Sequence, residues 1–319
     1  MPFVLIIMLN LILKRIAAAF FVFIGATFFT YGMMMFAPGD ATLEIAIARY
    51  GGQDQVDGAT IEWIKKKEGL DKPFLHQYFH WLKRVVALDL GISLVKEEPV
   101  WQLISTRFAR TFELALSAII FALLIAVPIG ILGGVKQGSW IDSMGVTIAV
   151  TGVSMPNYWL GLMLIILFSV KLKWLPVFGY GDWRHMVMPA ITLGTALTAY
   201  TTRILRSAII ETLQSDYLIA LRARGISKRF VLGKHILKNA LIPVVTVVGL
   251  EFGMILEGAV ITETVFAWPG IGDLMVCAVS NRDYPLIQGL VLFTAMVFVL
   301  INFLVDIVYR YLDPRIRLS

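Results

Sequence analysis

Charge and cysteine are what this sequence has least of. Of its 319 residues 16% are charged and 58% are hydrophobic, with a mean hydropathy of +0.78. A soluble domain carries about 25% charged residues and rarely shows apolar runs of about 20, so a soluble globular fold is excluded. Cys277 is the single cysteine, which rules out an intrachain disulfide and any cysteine-based metal cluster. A cleavable signal peptide is not expected at the start, because the apolar run over 16–36 is too long for a signal core and has no clear cleavage site. Met8 offers a second start, which would leave residues 1–7 as a dispensable extension. No Walker A motif is present: GGVKQGS at 133–139 lacks the Lys that must follow the second Gly. The chain is not expected to hydrolyse ATP by itself.

Enzymatic readings find little to stand on. His76 and His80 are four residues apart and would share a helical face, but HQYFH lacks the Glu of the zinc-hydrolase motif HExxH. Two interfacial histidines on an amphipathic helix are the plainer reading. GYGD at 179–182 matches the GxGD of intramembrane aspartyl proteases, yet Asp182 falls in a short loop between apolar runs and the partner YD motif is absent. No catalytic residue and no metal site are therefore assigned, and a non-enzymatic chain is expected.

What is present in abundance is length of apolar helix. A bilayer core needs about 20 apolar residues per helix, and six runs qualify: 16–36, 112–135, 144–170, 186–206, 241–265 and 286–309. The third contains Pro156, tolerated inside a membrane helix where neighbours or water satisfy the freed carbonyl. The fourth is rich in Thr and Ala, which suits close helix packing. Six spans place both termini on one side. The net charge of +6 could suit nucleic acid, but the basic residues cluster beside apolar runs, so lipid is the expected contact and nucleic acid is not. Fourteen Lys and Arg fall on the side of the termini and four in the short loops opposite. By the positive-inside bias both ends are cytoplasmic. The predicted fold is an all-α integral membrane protein, a single domain over 1–319. Its large extracytoplasmic loop, 37–110, holds ten basic and ten acidic residues. Within it IEWIKKKEGL and HQYFHWLKRVVAL read as short amphipathic helices.

The segment from Asp216 to Pro243 concentrates Arg222, Arg224, Lys228, Arg229, Lys234 and Lys238 between two apolar runs. Asp216 is a candidate N-cap, Gly225 can take positive φ and end the first helix, and Ser227 can cap a second. Tyr217, Ala220 and Ala223 make a small-residue face at spacings of three. Such an elbow can seat in a partner's groove, or it can be an ordinary cytosolic loop held to headgroups. Periodicity and charge leave both open.

This segment resembles the coupling loop of ABC importer permeases in the dipeptide, oligopeptide and nickel branch, the binding-protein-dependent inner-membrane components. The matching residues are Asp216, Tyr217, Ala220, Arg222, Ala223, Arg224, Gly225, Ser227, Val231, His235, Leu237, Asn239, Ala240 and Pro243. The likeness runs along nearly the whole chain: APGD at 37–40, GLDKP at 69–73, DLGISL at 89–94, TFELAL at 111–116, MPNYWLGL at 155–162, WLP at 174–176, ETVFAWPGIG at 263–272, RDYPLIQG at 282–289 and LDPRIR at 312–317. It departs from the broader importer pattern where Ile219, Ala220 and Leu221 replace a Glu-Ala-Ala triplet, and the spacing from Gly225 to Pro243 is longer.

The resemblance implies a type I importer permease in a bacterial inner membrane, paired with a second, related permease. It also implies two cytoplasmic ATPases, which bind the ATP and Mg2+, and an extracytoplasmic solute-binding protein. Asp216, Tyr217, Ala220, Arg222, Ala223, Arg224, Gly225, Ser227 and Arg229 are the expected ATPase-coupling residues, within a cytoplasmic loop spanning 207–243. Cargo is expected to be di- or oligopeptides, with nickel or a metal chelate as the alternative, and an ATP-independent secondary transporter as the competing class. For the translocation path and gate, the candidates are Glu257, Glu263, Phe266, Trp268, Pro269, Pro156 and Asn157. An ionisable residue in a span costs about 2.5–3.5 kcal/mol on insertion scales and is a functional candidate by default. Glu251, Glu257 and Glu263 lie six apart, so successive carboxylates point roughly 240° apart and form no single stripe. Glu257 is the deepest and is the candidate for favouring cationic cargo, against an interhelical hydrogen bond or an inert protonated acid. Asn302 and Asp306 read as interhelical hydrogen-bonding groups.

Overall fold

A computed structural model describes residues 2–36, 40–50, 56–67, 69–216, 218, 230, 233 and 236–312. Regular structure among them is helical, apart from one isolated bridge between Ile92 and Pro99. The helices are α1 (Pro2–Met35), α2 (Ala41–Tyr50), α3 (Gly58–Lys67), α4 (Phe74–Val86), α5 (Val100–Val135) and α6 (Trp140–Ser154). Then come α7 (Asn157–Leu164, continued by a π-helical stretch Ile165–Lys171), α8 (Trp183–Leu213), α9 (Leu237–Gly258), α10 (Val260–Val265), α11 (Ile271–Ser280) and α12 (Tyr284–Leu312). Three described helices contain a stretch long and apolar enough to cross a bilayer: Val100–Val135, Asn239–Leu256 and Tyr284–Val305.

Two of the expected runs are interrupted. Helix α6 stops at Ser154, Met155 is extended at φ −87° and ψ 126°, and Pro156 opens α7. The proline ring crowds the residue before it out of the helical region, so the helix does not pass through Pro156. The fifth run divides at Ala259, where α9 ends and α10 begins. The second run, by contrast, is longer than hydropathy indicates, because α5 starts at Val100. Residues 100–110 hold no Gly or Pro and bury Leu103 and Ile104 on one face. Arg107 and Arg110 lower the local hydropathy without opposing the helix.

The chain forms two compact units, residues 1–110 with 269–299, and residues 111–268 with 300–319. In the first, Val100, Leu103 and Ile104 of α5 pack with Leu274 of α11 and with Leu286 and Leu290 of α12. Tyr78, Trp81 and Val85 form the buried face of α4, against Tyr31 and Leu292. Asp283 joins two of the sequence motifs. It is 1% exposed and accepts from the Ser93 hydroxyl and, at 3.1 Å, from the Leu94 N–H, while also meeting the Leu286 N–H at 3.4 Å. In the second unit α8 packs against α6 and α9, with small residues where backbones approach. A Cβ on Gly194 would stand 2.7 Å from the Ala118 carbonyl oxygen, and one on Gly134 would stand 2.7 Å from the Ile209 side chain.

Candidate functional site

Four of the motifs meet within the second unit. Helix α10 ends at Val265, and Ala267 then takes φ +46°, a left-handed value that costs a residue with a Cβ about 1–2 kcal/mol. This turn brings the Trp268 N–H back to the Glu263 carbonyl at 2.8 Å. The Phe266 carbonyl accepts from the Gly179 N–H at 2.8 Å. Gly179 has φ +100°, so the turn before α8 suits a residue without a Cβ. Tyr180 lies edge-on to Trp268, ring centroids 5.0 Å apart, and its hydroxyl donates to Glu113 at 3.2 Å. Gly161 faces Phe266 so closely that a Cβ there would stand 3.2 Å from the ring.

Glu263 is fully buried and accepts from the Thr111 hydroxyl at 2.6 Å. A buried carboxyl group must be hydrogen-bonded to be tolerated, and Thr111 supplies one bond from 152 residues away. Phe266 and Trp268 are also buried, Pro269 is half-buried, and Pro156 and Asn157 are exposed at the start of α7. The backbone of Glu257 lies in α9, while its side chain falls outside the described ones. Asp182 caps α8, accepting from the Arg184 N–H at 3.2 Å and lying 2.9 Å from His185 Nδ1. Capping gives Asp182 a structural role in the GYGD sequence. Thr111, Glu113 and Tyr180 were not singled out by sequence reasoning. Their signal was membership of the TFELAL and GYGD strings, which carry no sign of who meets whom.

The segment between α8 and α9 is anchored at both ends. Asp216 is exposed just after α8, and Tyr217, Ala220, Arg222, Ala223, Arg224, Gly225, Ser227 and Arg229 lie outside the described residues. Leu218, with no exposed surface, and Ile236, at 2%, share one core with Leu205 and Ile209 of α8 and Ala240 and Val244 of α9. The two ends of the segment are thus tied to the same pair of helices. Sequence reading passed over Leu218 and Ile236 because the charges around them dominate the segment.

One ion pair braces α6 against α8. Asp142 accepts from Arg206 Nε at 2.5 Å and Nη2 at 2.7 Å, and from the Gly138 N–H at 2.9 Å. Ser139 caps α6, accepting from the Asp142 N–H. The Arg206 hydrogen bonds, more than the opposing cost of burial, hold the Asp142 carboxyl down at about 2, against an ordinary 3.8. A depressed folded value means that this stabilisation is complete above the ordinary value and is lost as pH falls towards the folded one. Thermal unfolding in detergent should show Asp142→Asn less stable than the parent at neutral pH. The gap should close between about pH 4 and pH 2. A gap that stays constant across that window would show that the carboxylate is not the source.

Comparison with known proteins places these features in a family. Residues 126–318 match the family of binding-protein-dependent transport system inner membrane components, and residues 8–115 match its N-terminal region. The chain is 41% identical over 310 residues to the glutathione transport system permease protein GsiC of Pectobacterium atrosepticum, covering 97% of this chain and 99% of the relative. It is 38% identical to the GsiC protein of Escherichia coli K12 over the same shares. Among solved structures it is similar to the methionine ABC transporter MetNI in an inward-facing conformation, at 18% identity and a TM-score of 0.55, covering 67% of this chain and 97% of that one. It is also similar to an amino acid ABC transporter, at 15% identity and a TM-score of 0.54, covering 66% and 94%.

Proposed function

Because the chain belongs to the binding-protein-dependent transport system inner membrane components, the permease subunits of ABC importers, we propose that it carries small peptides inward by alternating access. It sits in the inner membrane, and in this reading it forms one domain of six spans with cytoplasmic ends. A second permease completes the path, two ATPases drive it, and a solute-binding protein feeds it. ATP and Mg2+ are held by the ATPases. Closure of the ATPase pair pushes on the 207–243 loop, and the spans rock because the two states differ in their ATPase contacts.

The observation that carries this reading is the shared core of Leu218 and Ile236 with α8 and α9. A loop tied to two helices at both ends moves those helices when it is pushed. Asp216, Tyr217, Ala220, Arg222, Ala223, Arg224, Gly225, Ser227 and Arg229 then meet the ATPase. The turn from Glu263 to Trp268, packed on Tyr180 and Gly161, supports a gate assignment for Glu263, Phe266 and Trp268, and Pro269, Pro156 and Asn157 are the other proposed path or gate residues. Glu257 remains the proposed path residue, and unchanged transport of cationic cargo by a Glu257→Ala protein would remove it. The relatives' cargo, glutathione, is a tripeptide, which favours peptides over nickel or a chelate here.

The test is a mild-detergent pull-down of the tagged chain joined to an uptake assay. We expect a second permease and Walker-type ATPases to co-purify with the parent. Gly225→Glu should lose the ATPases and at least about 90% of ATP-driven peptide uptake, because a charged side chain blocks the elbow. A chain recovered alone that moves solute into liposomes without ATP would make it a secondary transporter instead.

A further inference from the structure

The first unit contains two adjoining cavities, of about 410 and 400 Å3, that share Tyr31, Leu70, Gln77, Tyr284 and Gln288. Each is within the roughly 300–1,000 Å3 of small-ligand sites. Lys66, Lys67, Lys72, His76, His80 and Arg84 line the larger one, and no carboxylate lines it among the described residues. Three of the four lysine and arginine cations have partners: Lys66 pairs with Glu62 at 3.6 Å, Lys67 lies 4.4 Å over the Trp63 ring, and Arg84 binds Asp89 at 2.9 Å. Lys72, His76 and His80 form no ion pair among the described residues. The smaller cavity holds the opposite sign as well, with Asp40 facing it beside Lys65. Asp40 uses Oδ1 to accept from the Thr42 N–H at 2.8 Å, capping α2.

The walls are built rather than incidental. Tyr31 donates to Gln77 Oε1 at 3.0 Å, and Gln77 donates to the Lys72 carbonyl at 2.7 Å, which fixes the 70–72 turn against α4. Gln288 lines both cavities, is 2% exposed, and its side-chain amide makes no hydrogen bond among the described residues. The buried indole N–H of Trp81, in the wall of the larger cavity, also lacks a partner. A buried polar group left unpaired costs about 1–3 kcal/mol, and a polar ligand accepting from the Trp81 N–H would offset that. The His76 and His80 spacing suggests a metal until their surroundings are counted. A cation would enter a chamber of like charge, with no third His, Cys, Asp or Glu to hold it among the described residues. An anion would meet up to six donors.

We propose that these joined cavities bind an acidic peptide, with its carboxylates in the Lys72–His76–His80 chamber and its ammonium end towards Asp40. The site rests on the importer reading for its physiological cargo, and it names the class: short peptides with more carboxylates than amines. A cluster of positive groups on one side and a single carboxylate on the other matches a zwitterion with excess negative charge, as a phosphate ion does not.

The test is calorimetric titration of the full-length chain, in nanodiscs of zwitterionic lipid, with triglutamate, trialanine and trilysine. Triglutamate should bind about ten-fold tighter than trialanine, and Lys72→Gln and His76→Gln should each remove several-fold of that preference, charge-assisted hydrogen bonds being the strong ones. The Lys72→Glu/His80→Glu double variant, checked for unchanged thermal unfolding, should turn the preference towards trilysine. Equal binding of triglutamate and trialanine, or a preference untouched by the variants, would overturn the proposal. So would loss of triglutamate binding when phosphatidylglycerol is added to the nanodiscs, since the chamber would then belong to lipid headgroups. ATP-driven uptake of trialanine by the assembled complex tests the importer reading separately. Its absence alongside selective triglutamate binding would refute transport and leave the site standing.

Discussion

Gly194→Val should yield almost no folded protein. A Cβ at this position would lie 2.7 Å from the Ala118 carbonyl oxygen and 2.7 Å from the Phe121 ring. The ring can turn away, but the carbonyl is part of the α5 backbone and cannot move without separating α5 from α8. Overpacking of a fitted core costs about 1–3 kcal/mol even for modest additions, so Gly194→Ala should already lower the unfolding temperature measurably. Valine adds two further methyl groups at the same point. Fluorescence-detected size exclusion of detergent extracts, followed by thermal unfolding, reads both variants. The control is Gly32→Ala in α1, where an added Cβ meets nothing within 4 Å. If Gly194→Val and Gly32→Ala were equally well folded, the close α5–α8 approach would be wrong.

Asp283→Ala is the second large effect, at about 3 kcal/mol of lost stability. Hydrogen bonds to a charged group are worth about 1.5–3 kcal/mol each, and donors left buried without an acceptor add a penalty. Asp283 serves the Ser93 hydroxyl and the Leu94 and Leu286 N–H groups, so its loss frees the 91–99 turn and uncaps α12 at once. Ser93→Ala removes one donor to Asp283 and the acceptor of the Lys96 N–H but leaves Asp283 its backbone donors, and should cost only about 1 kcal/mol. Hydrogen exchange at Leu94 and Leu286 reports the local opening, and thermal unfolding reports the sum. Leu94 and Leu286 amides that exchange as slowly in Asp283→Ala as in the parent would sink the assignment.

These two sites differ in how visible they are in the amino-acid sequence. Asp283 lies in RDYPLIQG and Ser93 in DLGISL, both legible as motifs, but their contact spans 190 residues and no periodicity announces it. Gly194 sits in a run of Thr and Ala that signals close packing, yet which backbone it approaches is not written there. The interruption at Pro156 shows the limit of hydropathy in a third way. A sliding apolar count passes over Met155, whereas the steric demand of proline on its neighbour does not. In the segment between α8 and α9 the apolar anchors Leu218 and Ile236 were masked by their charged neighbours, because charge averages over a window and burial is decided residue by residue.

The sequence by itself determined the class of this protein. Apolar length and scarce charge put it in a bilayer, and the order of its motifs resembled an importer permease, a family that comparison then established. Those properties are local, each a sum over neighbouring residues. Only the tertiary structure decided that Glu263 answers Thr111, that Tyr180 packs on Trp268, and that six scattered basic side chains share one chamber. Such partnerships depend on the packing of helices distant in sequence, where a displacement of a few ångströms makes or breaks a hydrogen bond while leaving every hydropathy window unchanged.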